Sequence, residues 1–304
     1  HHQGSLDAIE TAIDMKRGAP EYHQLHGDLL VELRNPEAAL EAYGMAMAGM
    51  EERSEYHTRG DRDKLRFLKI GLMRKLGRVD AIKRLEQELY SIPPRDPTAA
   101  PRQIDLTNYY NAGIDQSWNG EGNGSLADIP SGLVELSGVR FDIRGIVQLS
   151  SRIMSGTTHS NLKGNSEFYL SYQYPSQIQG ISIQQAARRL HFLHASLYGN
   201  SYFAPKGTLV GYYKLHYANG ETRKIELKLG EHIRDWWISS AARNPAFAPE
   251  EGLELAWRGS HEISNSGLYK TTWENPLPTV PIVHLDFVSA MNAPAPFLVA
   301  ITLG

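Results

Sequence analysis

Five tryptophans, Trp118, Trp236, Trp237, Trp257 and Trp273, all stand in the second half of the chain. An aromatic face offers a stacking surface for the apolar C–H side of a sugar ring, while Asp, Asn, Arg or His beside it bind hydroxyls. Asp235 precedes the Trp236-Trp237 pair and Glu274 follows Trp273. Glycoside hydrolysis would need two such carboxylates facing one another; a structural ion pair with Arg188 or Arg189 is their plainer use. The ligand-binding candidates are therefore Trp236, Trp237, Asp235, Trp118, His194, Arg189 and Trp273. Consecutive residues of a strand point to opposite faces, so at most one of Trp236 and Trp237 belongs to a core.

Metal chemistry has weaker candidates. His191 and His194 are three apart on an expected strand, which sends them to opposite faces and denies them a shared ion. His194 falls on the side of Leu190 and Phe192, where a hydrogen-bonded, semi-buried imidazole is the expectation. His23 and His26 share a helix face, but that face is expected to meet neighbouring helices. Asp115, Asn119, Asn123 and Asp128 lie in one loop region with the hard oxygen ligands calcium prefers. A structural calcium there is the only cofactor the sequence offers.

Other chemistries are absent. The chain has no cysteine, which removes thiolate nucleophiles, disulfides and cysteine zinc sites together. No Gly-x-Ser-x-Gly elbow occurs. Gly120-Glu121-Gly122-Asn123-Gly124 is not followed by the Lys-Ser or Lys-Thr of a phosphate loop and reads as surface. With 31 basic and 34 acidic residues, the chain has a net charge of −3. Up to residue 102 the counts are 16 and 17, leaving 15 and 17, so neither half has the basic excess that nucleic acid or anionic lipid demands. No apolar run approaches the roughly 18 residues of a membrane-spanning helix. The expected partner is a carbohydrate or a protein surface, with no nucleic acid and no membrane insertion.

Two periodicities organise the 304 residues. His1-His2-Gln3-Gly4-Ser5 reads as the remnant of an affinity tag and its linker. From 6 to 92 apolar residues recur at three- and four-residue steps: Leu29, Leu30 and Leu33, then Ala39, Leu40, Tyr43 and Met47. Arg34-Asn35-Pro36-Glu37 predicts a tight joint, with Asn35 as cap and Pro36 at the first helical position. Further helical runs are expected over 64–76 and 79–90. The proline-rich stretch 93–103 is expected as a linker.

From 104 to 304 short β-branched and aromatic segments alternate with Gly, Asn and Pro, which predicts an antiparallel sandwich. Strands are expected at 133–136, 139–144, 145–149, 178–183, 188–194, 253–257, 268–273, 282–289 and 297–302, with a hairpin over 210–229. The hairpin's register follows from its faces. A two-residue Asn219-Gly220 loop would set the apolar face of one strand against the charged face of the other. A three-residue Ala218-Asn219-Gly220 loop pairs Tyr213 with Ile225, leaves Leu215 opposite Arg223, and puts Gly220 at the left-handed position. The polar segment 155–165 reads as a loop.

In residues 23–47, Gly27, Leu30, Ala39, Tyr43 and Ala46 stand at the spacing of the packing positions of a tetratricopeptide repeat, which this segment resembles. Gly71–Leu89 is similar to a second, shortened copy, and Asp7–Ala19 to the trailing helix of an earlier one. Some such repeats clamp a partner's C-terminal carboxylate. Here Asp28 and Glu32 would repel it, leaving a basic or apolar peptide as the partner the resemblance implies.

The stretches 138–145, Arg189–Ala195, 211–220, Asp235-Trp236-Trp237, Thr271–Pro276 and Asp286–Met291 resemble a family of C-terminal domains in large multidomain bacterial proteins. These are similar to the galactose-binding-like jelly rolls appended to glycoside hydrolases. The resemblance implies a jelly-roll sandwich that binds a sugar, binds a protein, or acts as a spacer. The leading expectation is a non-catalytic binding or scaffolding segment. Its rivals are a glycoside-active enzyme using carboxylates near Trp236 and Trp273, and a purely structural cap of a repeat array, which would bury every tryptophan and leave no cleft.

Overall fold

The computed structural model describes residues 2–15, 19–52, 65, 69–70, 72–73, 76–78, 92–115, 118, 125–154, 174–239, 253–260 and 264–304. The chain divides into two compact units, helical first and then built of strands.

Three helices are described in the first unit: α1 (His2–Met15), α2 (Pro20–Glu32) and α3 (Pro36–Glu52). The helical run expected over 79–90 lies outside the described residues, and that over 64–76 is described only in part. The α2–α3 joint forms as its sequence predicts. Leu33 closes α2, and Arg34 takes a left-handed φ of 59°. The amides of Asn35 and Arg34 then donate to the carbonyls of Leu30 (2.8 Å) and Val31 (3.0 Å), closing a Schellman motif without glycine. Asn35 Oδ1 accepts from the Ala38 amide at 3.3 Å, capping α3 ahead of Pro36.

Close approach of α2 and α3 requires Gly27. A Cβ there would stand 2.5 Å from the Tyr43 ring, which is itself wholly buried and donates its hydroxyl to Asp28 at 2.7 Å. Leu30, Ala39, Leu40, Ala46 and Met50 complete this small core. Among the described residues no helix is long and apolar enough to cross a membrane.

Among the described residues the second unit holds twelve antiparallel strands. They are β1 (Gly132–Leu136), β2 (Val139–Ile143), β3 (Val147–Gln148), β4 (Gln177–Gln185), β5 (Arg189–Leu197), β6 (Leu209–Tyr217), β7 (Thr222–Lys228), β8 (Trp237–Ser239), β9 (Glu254–Ser260), β10 (Ser264–Glu274), β11 (Ile282–Ser289) and β12 (Ala295–Leu303). One sheet runs β3-β12-β5-β10, with β8 and β9 both paired to β10; a second runs β4-β11-β6-β7; β1 and β2 form a ribbon. A single core lies between the two larger sheets, drawing Leu190, Phe192, Leu298 and Ile301 from the first and Ile181, Tyr213, Leu215, Ile225 and Phe287 from the second. The arrangement is a β-sandwich in the sense the alternation predicted.

Every strand expected from the sequence appears, with end shifts of a few residues. The hairpin takes the expected register: Tyr213 opposes Ile225, Leu215 opposes Arg223, and Gly220 sits at φ 84°. The three-residue strand β8 was not expected. The stretch expected as a linker is bonded to the strands: Arg144 donates to the Pro93 carbonyl (3.2 Å), and the Leu303 amide of β12 donates to the Arg102 carbonyl (2.9 Å).

β12 is buried along its whole length, which its near-continuous apolar sequence requires. Its core-side residues face the second sheet, and the opposite side is also covered. There Trp118 packs edge-on to Phe297 at 5.4 Å, and Thr302 donates to the Arg140 carbonyl of β2 at 2.8 Å.

A buried ion network secures the ribbon. Arg144, 1 % exposed, donates to Asp142 (3.0 Å), Asp105 (2.7 Å) and Thr107 (2.8 Å), and lies over the Tyr110 ring. Such an arginine is held because removing either partner would leave an uncompensated buried charge.

Candidate functional site

β5 ends at Leu197, and the chain turns through Tyr198, Gly199 and Asn200 into an aromatic loop. The segment ahead of β8 returns alongside it. Ser196 donates its amide to the Arg234 carbonyl (2.9 Å), Trp236 donates to the Ser196 carbonyl (2.9 Å), and Asp235 donates to the Gly199 carbonyl (3.2 Å). Gly199 permits this approach, because a Cβ would collide with Ser196 Oγ and stand 2.8 Å from the Asp235 amide nitrogen.

These two backbones frame a cleft of about 170 Å³, lined by Leu197, Tyr198, Asn200, Phe203, Asp235, Trp236 and Trp237. Its walls are aromatic. Tyr198 meets Phe203 edge-on at 5.2 Å, Tyr202 meets Phe203 at 5.0 Å, and Trp236 meets Trp237 at 5.7 Å. Tyr202, beside the cleft, is 88 % exposed.

Among the described residues Asp235 supplies the only carboxylate in the lining, and it is 5 % exposed. Its Oδ1 accepts the Trp237 amide and its Oδ2 accepts Asn200 Nδ2, both at 3.0 Å. Burial raises its pKa to about 7, against the opposing pull of those hydrogen bonds. Burial thus makes this carboxyl easier to protonate than an exposed aspartate, as is common for groups at functional sites.

The candidates from the sequence separate into three groups. Asp235, Trp236 and Trp237 come together at the cleft, and the pair divides as its alternation requires: Trp236 is 2 % exposed and Trp237 is partly exposed. Trp118 and His194 are interior residues, away from the cleft lining. Trp118, fully buried, stacks obliquely on Trp236 at 4.9 Å and donates Nε1 to Gln148 at 2.9 Å. His194 is fully buried among Tyr213, Thr271 and the His232 carbonyl.

Trp273 packs against the main core from the far end of β10, and Arg189 forms an exposed ion pair with Glu274 (2.6 Å). Glu274 pairs with Arg189 and Asp235 bridges to Ser196, seven residues further along β5. At about 3.3 Å per residue the two acids stand roughly 23 Å apart, too far to flank one bond.

Of the calcium candidates, Asp115 and Asp128 are exposed, while Asn119 and Asn123 lie outside the described residues. Tyr198, Asn200, Phe203 and Tyr202 were missed as site residues. Their signal was the aromatic Tyr-Gly-Asn-Ser-Tyr-Phe run directly after an expected strand.

The chain matches no protein-family model and no curated protein sequence.

Proposed function

We propose that this chain is a non-catalytic binding segment whose sandwich takes a carbohydrate in the cleft beside Trp237. The observation that carries this reading is the lining itself: aromatic walls from Tyr198, Phe203 and Trp237 around the polar pair Asp235 and Asn200. A sugar ring offers complementary surfaces, an apolar face for the rings and hydroxyls for the carboxyl and amide. A cap without ligand would hide all its tryptophans, whereas Trp237, Trp257 and Trp273 are partly exposed.

The finer family readings belong with this proposal. The helices would be part of a tetratricopeptide-like array that contacts a protein or orients the sandwich, as Gly27 under Tyr43 supports. The sandwich would be a galactose-binding-like jelly roll in a larger bacterial protein. A glycoside-active enzyme draws support from the raised pKa of Asp235, but no second carboxylate lines the cleft among the described residues.

All five tryptophans lie in the strand-bearing half, so intrinsic fluorescence of the full chain reports on that half. Titration with mono- and oligosaccharides should give a saturable shift for at least one sugar. Trp237→Ala should weaken that binding tenfold or more, about 1.4 kcal/mol. A folded protein that shows no shift across the panel would eliminate the carbohydrate reading in favour of protein scaffolding.

A further inference from the structure

The outward face of the four-stranded sheet carries a second group of chemically capable side chains, away from the core. His216 of β6 and His284 of β11 are cross-strand partners. Their rings stack with centroids 4.2 Å apart and planes 22° apart. Asp286 follows His284 by two residues and so shares its face. One ligand atom from each of the three lies within 4.8 Å of the other two.

The carboxylate is held from two sides. Asp286 Oδ1 accepts the Gly180 amide of β4 at 2.9 Å, and Oδ2 lies 2.7 Å from His216 Nε2. Gly180 is itself fixed, because Tyr109 donates its hydroxyl to the Gly180 carbonyl at 2.7 Å. The side chains of His216 and Asp286 are 24 % and 12 % exposed, enough for an ion to reach them.

We propose that His216, His284 and Asp286 form a divalent transition-metal site of the zinc type. Two imidazoles and one carboxylate are a donor set for zinc and its neighbours; calcium and magnesium prefer oxygen throughout. Three protein ligands leave a fourth position for water or a ligand atom. The tetrahedral arrangement, with bonds of about 2.0–2.1 Å, sets donors about 3.3 Å apart, so the cluster closes by side-chain rotation on paired strands.

The Gly180 amide supplies an outer hydrogen bond that orients a ligating carboxylate, and Tyr109 holds Gly180 through its carbonyl. A His216–Asp286 pair alone leaves the stacked second imidazole outside the set, whereas a metal ion engages all three side chains. Lys214, directly opposite Asp286, is a cation that opposes the ion.

The test is calorimetric titration of the full chain with Zn²⁺ in a non-chelating buffer. Wild type should take up one equivalent that His284→Ala and Asp286→Asn both lose. A His23→Ala/His26→Ala double variant should keep it, and Lys214→Gln should bind more tightly. Tryptophan emission, which arises from the strand-bearing half, checks that each variant is folded. Uptake that persists unchanged in folded His284→Ala would belong to His1-His2 or the α2 histidines and would overturn the proposal, as would no uptake at all.

Discussion

His194 and Asp235 are both buried titratable groups, yet they are buried in different ways. Asp235 bridges to Ser196, only two residues beyond His194 on β5. The imidazole lies inside the sandwich, parallel to Phe192 and Tyr213 at 6.4 and 6.1 Å. Every polar atom around it is committed. Thr271 donates to the His232 carbonyl at 2.7 Å, so both groups near Nε2 are left to accept, and Nε2 carries the proton. Nδ1 then accepts from the Tyr213 hydroxyl at 3.0 Å.

The neutral ring is thereby complete, and burial drives its pKa down to about 3. Asp235 differs: its carboxylate receives its bonds from donors, Trp237 N–H and Asn200 Nδ2 among them. Its protonated form holds a hydrogen that neither partner can accept, and the group faces a cleft. A closed polar set fixes structure; an open one beside aromatic rings is where a ligand completes the bonding.

The largest test of that contrast is acid. His194 has a depressed folded pKa, so its contribution to stability is full above 6.5 and is lost as pH falls through 6.5 toward 3. At about 1.4 kcal/mol per pH unit the contribution approaches about 5 kcal/mol. Urea unfolding followed by tryptophan emission should show wild type's advantage over His194→Gln closing by that amount over the same range. An advantage that stays constant with pH would mean the ring titrates normally and is not sealed.

The next effect has the opposite sign. Asp235 has a raised folded pKa, so its contribution is full below 3.8 and is lost as pH rises toward 7. Asp235→Asn, which keeps the shape and cannot ionise, should gain on wild type by about 4 kcal/mol across that window. Its sugar response should weaken, because the amide cannot supply a carboxylate's acceptors. Equal pH profiles for the two proteins would place the carboxylate in free contact with water and undo the comparison.

Much of the first group was legible in the sequence and little of the second. Alternation along 188–194 put His194 with Leu190 and Phe192, and all three are interior. Facing apolar residues likewise set the 210–229 hairpin register, because a one-residue slip would have turned Tyr213 and Leu215 against Lys224 and Glu226. The helix joint at Asn35-Pro36 followed from local capping chemistry.

The cleft, by contrast, is made by contacts between segments some 35 residues apart. Neither the three-residue β8 nor the pairing of Ser196 with Asp235 leaves a periodic trace. Trp118 looked like a platform because nothing in its own neighbourhood showed that Trp236 and Phe297 would cover it. His216 and His284 meet only through the β6–β11 pairing, which joins strands separated by four others in sequence.

Asn200 gives the finest division between the two groups. Its Nδ2 stabilises the ionised form of Asp235, and its Oδ1 accepts the Tyr202 amide at 3.0 Å on the exposed rim. Asn200→Ala should therefore cost about 1.5–3 kcal/mol where Asp235 is charged and less where it is protonated, since charge-assisted bonds are the stronger. Removing a bond that lowers the pKa must raise it, so the upper end of the interval over which Asp235→Asn gains on the parent should extend to higher pH in the Asn200→Ala background. The acid limb belonging to His194 should stay where it was, because its three partners are untouched. Movement of both limbs together would mean that the two groups form one electrostatic unit, and the distinction between a sealed set and an open one would fail.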